Sequence, residues 1–462
     1  MYIVHFAAEL APIAKVGGLA DVLHGLSREL VRSGQKVEIV LPYHGCIDGC
    51  SPTDLEFHCT FGGANVASRV WHRTVDELPV YLIEPIEPSF FPRERIYGYL
   101  DDVERYTYFS LATLEFLKAS GREPDVIHLH EWQTAIAAPL HQGKSAVALT
   151  IHNLAHQGQC SPHDLDRVGL AGSDYLTPDR LQDDETPTLI NLLKGGVVYA
   201  DAVNTVSPTY AQEILDGVHH HGLETTLRRH QDKFRGILNG IDTEVWNPDS
   251  DPHLESHFSA EKPAAKAECK RWVQKWCGLE VCDRPLLSTI TRLAMQKGIP
   301  LVREALLHTV DRGGQFVILG TPSTQRIEEE FVRLSEEFRG NPHVHIELDQ
   351  NEPLAHQLFA GSDLIVAPSL FEPCGLVQLI GMRYGALPLV RKTGGFADTV
   401  TEETGFLFEE PEKSAIDSAL DRAFDLYGSA RFEQMRASAM SQDYSWSAAA
   451  KEYLKMYGSI CN

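Results

Sequence analysis

The sequence has no apolar run near the ~20 residues needed to span a bilayer. Its start, "MYIVHFAAEL", lacks the basic segment and small-residue cleavage site of a secretory signal. Cations are scarce as well: 41 Lys and Arg against 64 Asp and Glu leave a formal net charge of −23. That balance excludes a nucleic-acid or anionic-membrane surface, which needs a basic face. Nine cysteines are an odd count without framework spacing, which suits a reducing cytosol and not a disulfide scaffold. The paired spacing of zinc sites is missing too. Cys46 and Cys50 in "CIDGC", and Cys269, Cys277 and Cys282, are therefore not read as metal ligands. The acidic "DSD" at Asp249–Asp251 is too common a match to carry a metal, and the run His219–His221 reads as a solvated loop. Low-complexity segments and short-period repeats are lacking.

What is present is a long alternation. The chain has 462 residues, 43% hydrophobic and 23% charged, enough for two or three full cores. Short β-branched apolar runs alternate with helical patterns: "YIVHFAA", "KVEIVLP", "PVYLIEP", "DVIHLH", "AVALTIH", "DAVNTVS" and "FRGILNG". The second half continues with "PLLSTITRL", "QFVILG", "HVHIEL", "DLIVAPS" and "ALPLVRK". Runs apolar on both faces, spaced for crossover helices, predict parallel sheets in an α/β protein. Residues 240–266 are polar, proline-bearing and without period, and read as a hinge between two doubly wound domains. Open α/β sheets bind ligands at the carboxyl ends of their strands.

The chemically unusual residues fall at those ends. Lys15, Gly17 and Gly18 follow the first run and open a helix with apolar period at Leu19, Val22, Leu23, Leu26 and Leu30. A helix N-terminus with two missing β-carbons and a lysine suits a close-lying anion; a tight turn with a surface lysine is the plainer reading. "HLHEW" (His128, His130, Glu131, Trp132) and "TIHN" (His152, Asn153) end two further runs. Imidazoles, an amide, a carboxylate and an indole together suit a polyhydroxylated ligand, although a lone histidine is more often structural. Arg292 and Lys297 flank a turn in "TRLAMQKG", where both could reach a pyrophosphate or simply face solvent. In "FEPCGLVQL" a Pro-Cys-Gly turn opens a helix at Gly375, with Glu372 before it suited to sugar hydroxyls. Lys392, Gly394 and Gly395 repeat the form of the opening motif.

Together "KVGGLADV", "HLHEW", "TIHNLAHQG", "ADAVNTVSPTYAQEI", "GILNGIDTEVWNP", "RLAMQKG", "FEPCGLVQL" and "YGALPLVRKTGGFADTV" resemble, in order and over nearly the whole chain, the bacterial glycogen synthase and plant starch synthase family. The start and "LFEPCGL" are most similar to the branch shared by some bacterial enzymes and the longer plant starch synthases. The resemblance implies the glycosyltransferase-B (GT-B) fold: two Rossmann-like doubly wound domains with an interdomain cleft. It implies an N-terminal domain over 1–243, a nucleotide-sugar-binding domain over 244–440, and a last helix within 441–462 packed on the N-terminal domain. The implied reaction is retaining, metal-independent and cofactor-free transfer of glucose from ADP-glucose to the non-reducing end of an α-1,4-glucan, in the cytoplasm.

Carried over by position, Lys15, His152, Arg292, Lys297 and Glu372 would be catalytic. Gly17, Gly18, Asp21, Asn239, Gln350, Cys374, Gly375, Leu376 and Val377 would hold the nucleotide sugar. Glu9, His130, Glu131, Trp132 and Asn153 would line the acceptor or sugar side. Three positions depart from the family: Glu131 and Gln133 where Asp and His are usual, Val377 where threonine is common, and Gln350 where a tyrosine often meets the nucleotide. The last keeps UDP-glucose as an alternative donor. A sucrose- or trehalose-forming synthase and a non-catalytic glucan-binding regulator are the rival classes. Oligomeric state is left open.

Overall fold

Apolar runs buried on both faces become parallel strands because nothing but a covered sheet satisfies them. In a computed structural model that describes residues 1–218 and 221–461, the chain divides into two units: Met1–Gly240 with Trp446–Asn462, and Ile241–Ser445. Of the histidine run, His219 and His220 lie outside the described residues.

The first unit is built on β1 (Tyr2–Phe6), β2 (Lys36–Pro42), β3 (Ser51–Phe61), β4 (Ala64–Val75), β5 (Leu78–Pro85), β6 (Val126–His130) and β7 (Ala146–Ile151). A two-stranded piece, β8 (Gln159–Cys160) with β9 (Ile190–Asn191), stands apart; β10 (Ala202–Thr205) and β11 (Phe234–Gly236) complete the main sheet. The order is β11-β10-β7-β6-β1-β2-β5-β4-β3, parallel from β11 to β5 and antiparallel beyond. β3 and β4 are absent from the sequence reading. Their outward positions alternate with buried ones, and neither forms the continuous apolar run that betrays the others.

The second unit holds β12 (Leu286–Ile290), β13 (Gln315–Leu319), β14 (Val344–Glu347), β15 (Leu364–Ala367), β16 (Leu387–Arg391) and β17 (Phe406–Phe408), all parallel in the order β14-β13-β12-β15-β16-β17. The stretch read as a hinge is packed into this unit. Leu254 and Phe258 join its core, and buried Asp251 accepts from His356 Nδ1 at 2.7 Å and the Tyr384 hydroxyl at 2.6 Å. Its polarity is that of an inward-facing network.

The helix Trp446–Ile460 returns to the first unit and packs on α1 (Gly18–Arg32), with Trp446, Tyr453 and Tyr457 buried against Val22, Leu26 and Leu30. Contact is so close at Gly25 that a β-carbon there would lie 1.9 Å from Trp446 Nε1.

Each sheet has one place where the chain reverses its order of strand addition. In the first it lies at β1 and β6, in the second at β12 and β15. The carboxyl ends of such pairs leave a crevice that ligands occupy. They are where the unusual residues lie.

Candidate active site

After β1 the chain loops outward and re-enters as α1. Glu9, 4% exposed, uses one carboxylate oxygen to accept from the N–H of Val16 at 2.6 Å and of Gly17 at 2.9 Å; the other accepts from the Tyr97 hydroxyl at 2.8 Å. Burial pushes its carboxyl above the ordinary range, against these hydrogen bonds. Glu9 is thus an inward staple for the loop. Lys15 stands exposed above it, 2.8 Å from Asp21. The N–H groups of Gly18 and Leu19, in the first turn of α1, have no protein acceptor among the described residues.

The two glycines differ from those of "KTGG". A β-carbon at Gly17 or Gly18 would meet nothing within 4 Å, and neither lies in the left-handed region. Conformation and internal packing leave glycine unexplained there. At Gly394, φ is +45° and a β-carbon would lie 1.9 Å from Glu372 O; at Gly395 one would lie 2.2 Å from Cys374 O. That pair exists so that the helix Gly394–Thr399 can lie against the Glu372–Cys374 loop. Its resemblance to the opening motif is one of form.

The ends of β6 and β7 are joined by Glu131. Its backbone sits at φ +65°, a left-handed conformation costing a non-glycine residue about 1–3 kcal/mol. The turn carries its side chain to the N–H groups of His152 at 2.6 Å and Asn153 at 2.7 Å, both on Oε1, while Oε2 is buried without a partner. Burial pushes this carboxyl up to about 8. Three residues expected on the acceptor side make contacts within the protein here. Glu131 holds the loop that follows β7. Trp132 is 9% exposed, edge-on to Tyr106 and close under Gly158. His130 has both ring nitrogens engaged, one with His5 and one with His152, each at 3.0 Å. His152 and Asn153 remain partly exposed at the strand end. Asn239 is buried, its Oδ1 without a partner among the described residues. His5 escaped the sequence reading; the signal was its place inside β1, in register with His128.

In the second unit, Lys297 Nζ lies 2.5 Å from Glu372 Oε2, and Ser369 Oγ donates to the same oxygen at 2.9 Å. Glu372 is buried and Lys297 only partly so. Arg292, just past β12, is exposed, and its guanidinium has no protein partner among the described residues. Cys374 is buried, Gly375 is left-handed at φ +76°, and the following helix covers Val377–Arg383, starting after Leu376. Gln350 is exposed in the turn after β14.

Two parallel α/β units, each with its polar loops at the switch point of its sheet, define a GT-B glycosyltransferase. The Starch synthase catalytic domain family matches residues 2–229 and Glycosyl transferases group 1 matches 272–439. A glycogen synthase of Protochlamydia amoebophila is 43% identical over the whole chain and 99% of its own length. A probable starch synthase 4 of Arabidopsis thaliana is 42% identical over 99% of the chain, which spans 47% of that longer protein. The solved catalytic domain of starch synthase IV from Arabidopsis thaliana, bound to ADP and acarbose, superposes with TM-score 0.96 at 40% identity, covering 100% of this chain and 99% of that one. A sucrose-phosphate synthase of Thermosynechococcus elongatus shares the fold at TM-score 0.63 and 17% identity. The chain belongs to the glycogen and starch synthase family, and is a glucosyltransferase that builds α-glucan. Among the described residues no helix is long and apolar enough to cross a membrane.

Proposed function

We propose that the chain transfers glucose from ADP-glucose to the 4-hydroxyl at the non-reducing end of an α-1,4-glucan, with retention and without a metal. The observation that carries this is Gly17–Gly18: glycine is required there by neither backbone nor packing, beside a lysine and unpaired helix N–H groups. Such a place accepts a diphosphate and the sugar attached to it. The ADP-bound relative at 40% identity supports the adenine nucleotide as donor.

Breaking the glucose–phosphate bond builds negative charge on the diphosphate and positive charge on the sugar ring. On this reading Lys15 and the first turn of α1 in the first unit, and Arg292 and Lys297 in the second, answer the negative charge. Glu372 takes the glucose hydroxyls, with its carboxylate held by Lys297 and Ser369. His152 meets the sugar near its anomeric carbon. The departing phosphate takes the proton of the attacking hydroxyl on the same face, so retention needs no protein nucleophile. Asp21, Asn239, Gln350, Cys374, Gly375, Leu376 and Val377 belong to the donor side, and Asn153 to the acceptor side. The domain limits 1–243, 244–440 and 441–462 belong to the same reading. The reducing cytosol is its compartment, supported by nine unpaired thiols.

Transfer of radiolabelled glucose to glycogen, from ADP-glucose and UDP-glucose side by side, tests the proposal. ADP-glucose is expected to give the greater kcat/KM. Equal or greater transfer from UDP-glucose overturns the donor assignment, and no transfer from either overturns the reaction.

A further inference from the structure

Four imidazoles share one covered face of the first sheet. His5 on β1 places Nδ1 at 3.0 Å from His130 Nε2 on β6, and His130 Nδ1 lies 3.0 Å from His152 Nε2, just past β7. His128 stands beside them, its ring centroid 4.2 Å from that of His130. His128 Nε2 is 2.7 Å from Thr150 Oγ1, and its Nδ1 is 2.8 Å from the Tyr457 hydroxyl. His5, His128 and His130 are near enough to gather round a cation. The donor count speaks against it: both nitrogens of His128 and of His130 already face protein partners, leaving only His5 Nε2.

The proton positions follow from the partners. Burial holds His5 and His152 down to about 3, and His128 and His130 well below the ordinary histidine value, so each ring is neutral with one proton. Asn204 Nδ2 faces the carbonyl of Thr205, which turns its Oδ1 to Thr150. Thr150 therefore spends its only hydrogen on Asn204, and must accept from His128 Nε2–H. His128 Nδ1 then accepts from the Tyr457 hydroxyl.

The three-ring chain admits two polarities, and its buried end selects between them. His5 Nε2 is enclosed and has no partner among the described residues. A bare lone pair there costs less than an orphaned N–H, because unpaired buried donors are the rarer and dearer case. The proton of His5 thus sits on Nδ1 and is donated to His130 Nε2; the proton of His130 sits on Nδ1 and is donated to His152 Nε2. We propose that His5 and His130 are positioning residues, forming an imidazole relay that fixes the proton of His152 on Nδ1, so that His152 offers a hydrogen-bond donor to a hydroxyl of the transferred sugar. The bond made by one ring nitrogen sets the state of the other. His152 Nδ1 has no protein partner among the described residues, and the residue is partly exposed. The sugar contact rests on the proposed function; the relay does not.

Long-range 1H–15N spectra of the full chain with 15N-labelled histidine read the tautomers directly, with resonances assigned by single substitutions. In the wild type His152 is expected to be protonated on Nδ1 and His128 on Nε2. In His5→Leu the Nε2–H form of His152 appears, and kcat falls about tenfold with donor KM within about threefold. In His5→Gln an amide N–H replaces the lost donor, and kcat returns to within about threefold of wild type. Three results overturn the relay: wild-type His152 protonated on Nε2, an unchanged tautomer in His5→Leu, or, where His5→Leu has lost turnover, His5→Gln no more active than it. A shifted tautomer with unchanged turnover upholds the relay and removes the contact of His152 with sugar. The wild-type measurement decides the matter alone if His5→Leu does not fold.

Discussion

Lys297 and Glu372, 75 positions apart in sequence, are joined at 2.5 Å across the ends of β12 and β15, with Ser369 on the same carboxylate oxygen. The contact orders both partners: a cation aimed by a carboxylate, and a carboxylate kept from wandering by a cation and a hydroxyl. On the proposed function, each would then meet its part of the ligand already fixed.

Lys297→Ala is expected to lower turnover about 10²–10³-fold, the cost of losing one preorganised contact to developing charge. The buried carboxylate left with Ser369 alone costs about 1–3 kcal/mol, which a urea titration reads. Wild-type turnover in this variant would remove Lys297 from the chemistry. Lys15→Ala is expected to lose activity with the fold retained.

Glycine pairs of similar appearance should fail in opposite ways. Gly18→Ala meets open space with ordinary backbone, so the unfolding midpoint should hold while donor KM rises. Gly394→Ala meets Glu372 O in a left-handed conformation and should unfold at lower temperature. Thermal melts beside donor titrations separate the two, and a destabilised Gly18→Ala would contradict the first half.

Glu9→Ala leaves the Val16 and Gly17 N–H groups without their acceptor and frees the loop that carries Lys15. Donor KM is expected to rise about tenfold. Glu9→Gln retains an acceptor oxygen and should lie close to wild type. The comparison is made by initial rates over a range of ADP-glucose.

The Glu131 carboxyl stands at about 8 in the folded chain, held there by burial. The unfolded chain releases the same proton at about 4.3. A raised folded value gives stability that is whole below the unfolded pKa and is lost as pH rises through the folded one. Stability should therefore decline from about pH 4.3 to about pH 8 through this group. Glu131→Gln, neutral throughout, should flatten that slope in urea titrations; parallel profiles for the two proteins would refute the assignment.

Most strands are legible because each is a covered apolar run bounded by polar residues, and Lys15 with Gly17–Gly18 stands out because cation and glycine follow such a run at once. β3 and β4 hide because a half-exposed hairpin alternates like a polar loop. Glu9 and Glu131 are recognisable as polar residues at strand ends, yet sequence does not say whether a carboxylate turns inward to backbone or outward to a ligand. His5 hides most completely: its partner is 125 residues away, and only the adjacency of β1 and β6 brings them together.

The helix Trp446–Ile460 supplies Tyr457 to His128 and Tyr453 to Asn204, and its indole fills the space above Gly25. Those residues follow Ile241–Ser445 in the chain, while the sheet they cover precedes it. On the ribosome the first unit must wait with one flank bare until all of Ile241–Ser445, and the helix that follows it, has emerged. Truncation within Trp446–Ile460 would thus reach back to the sheet that this helix covers.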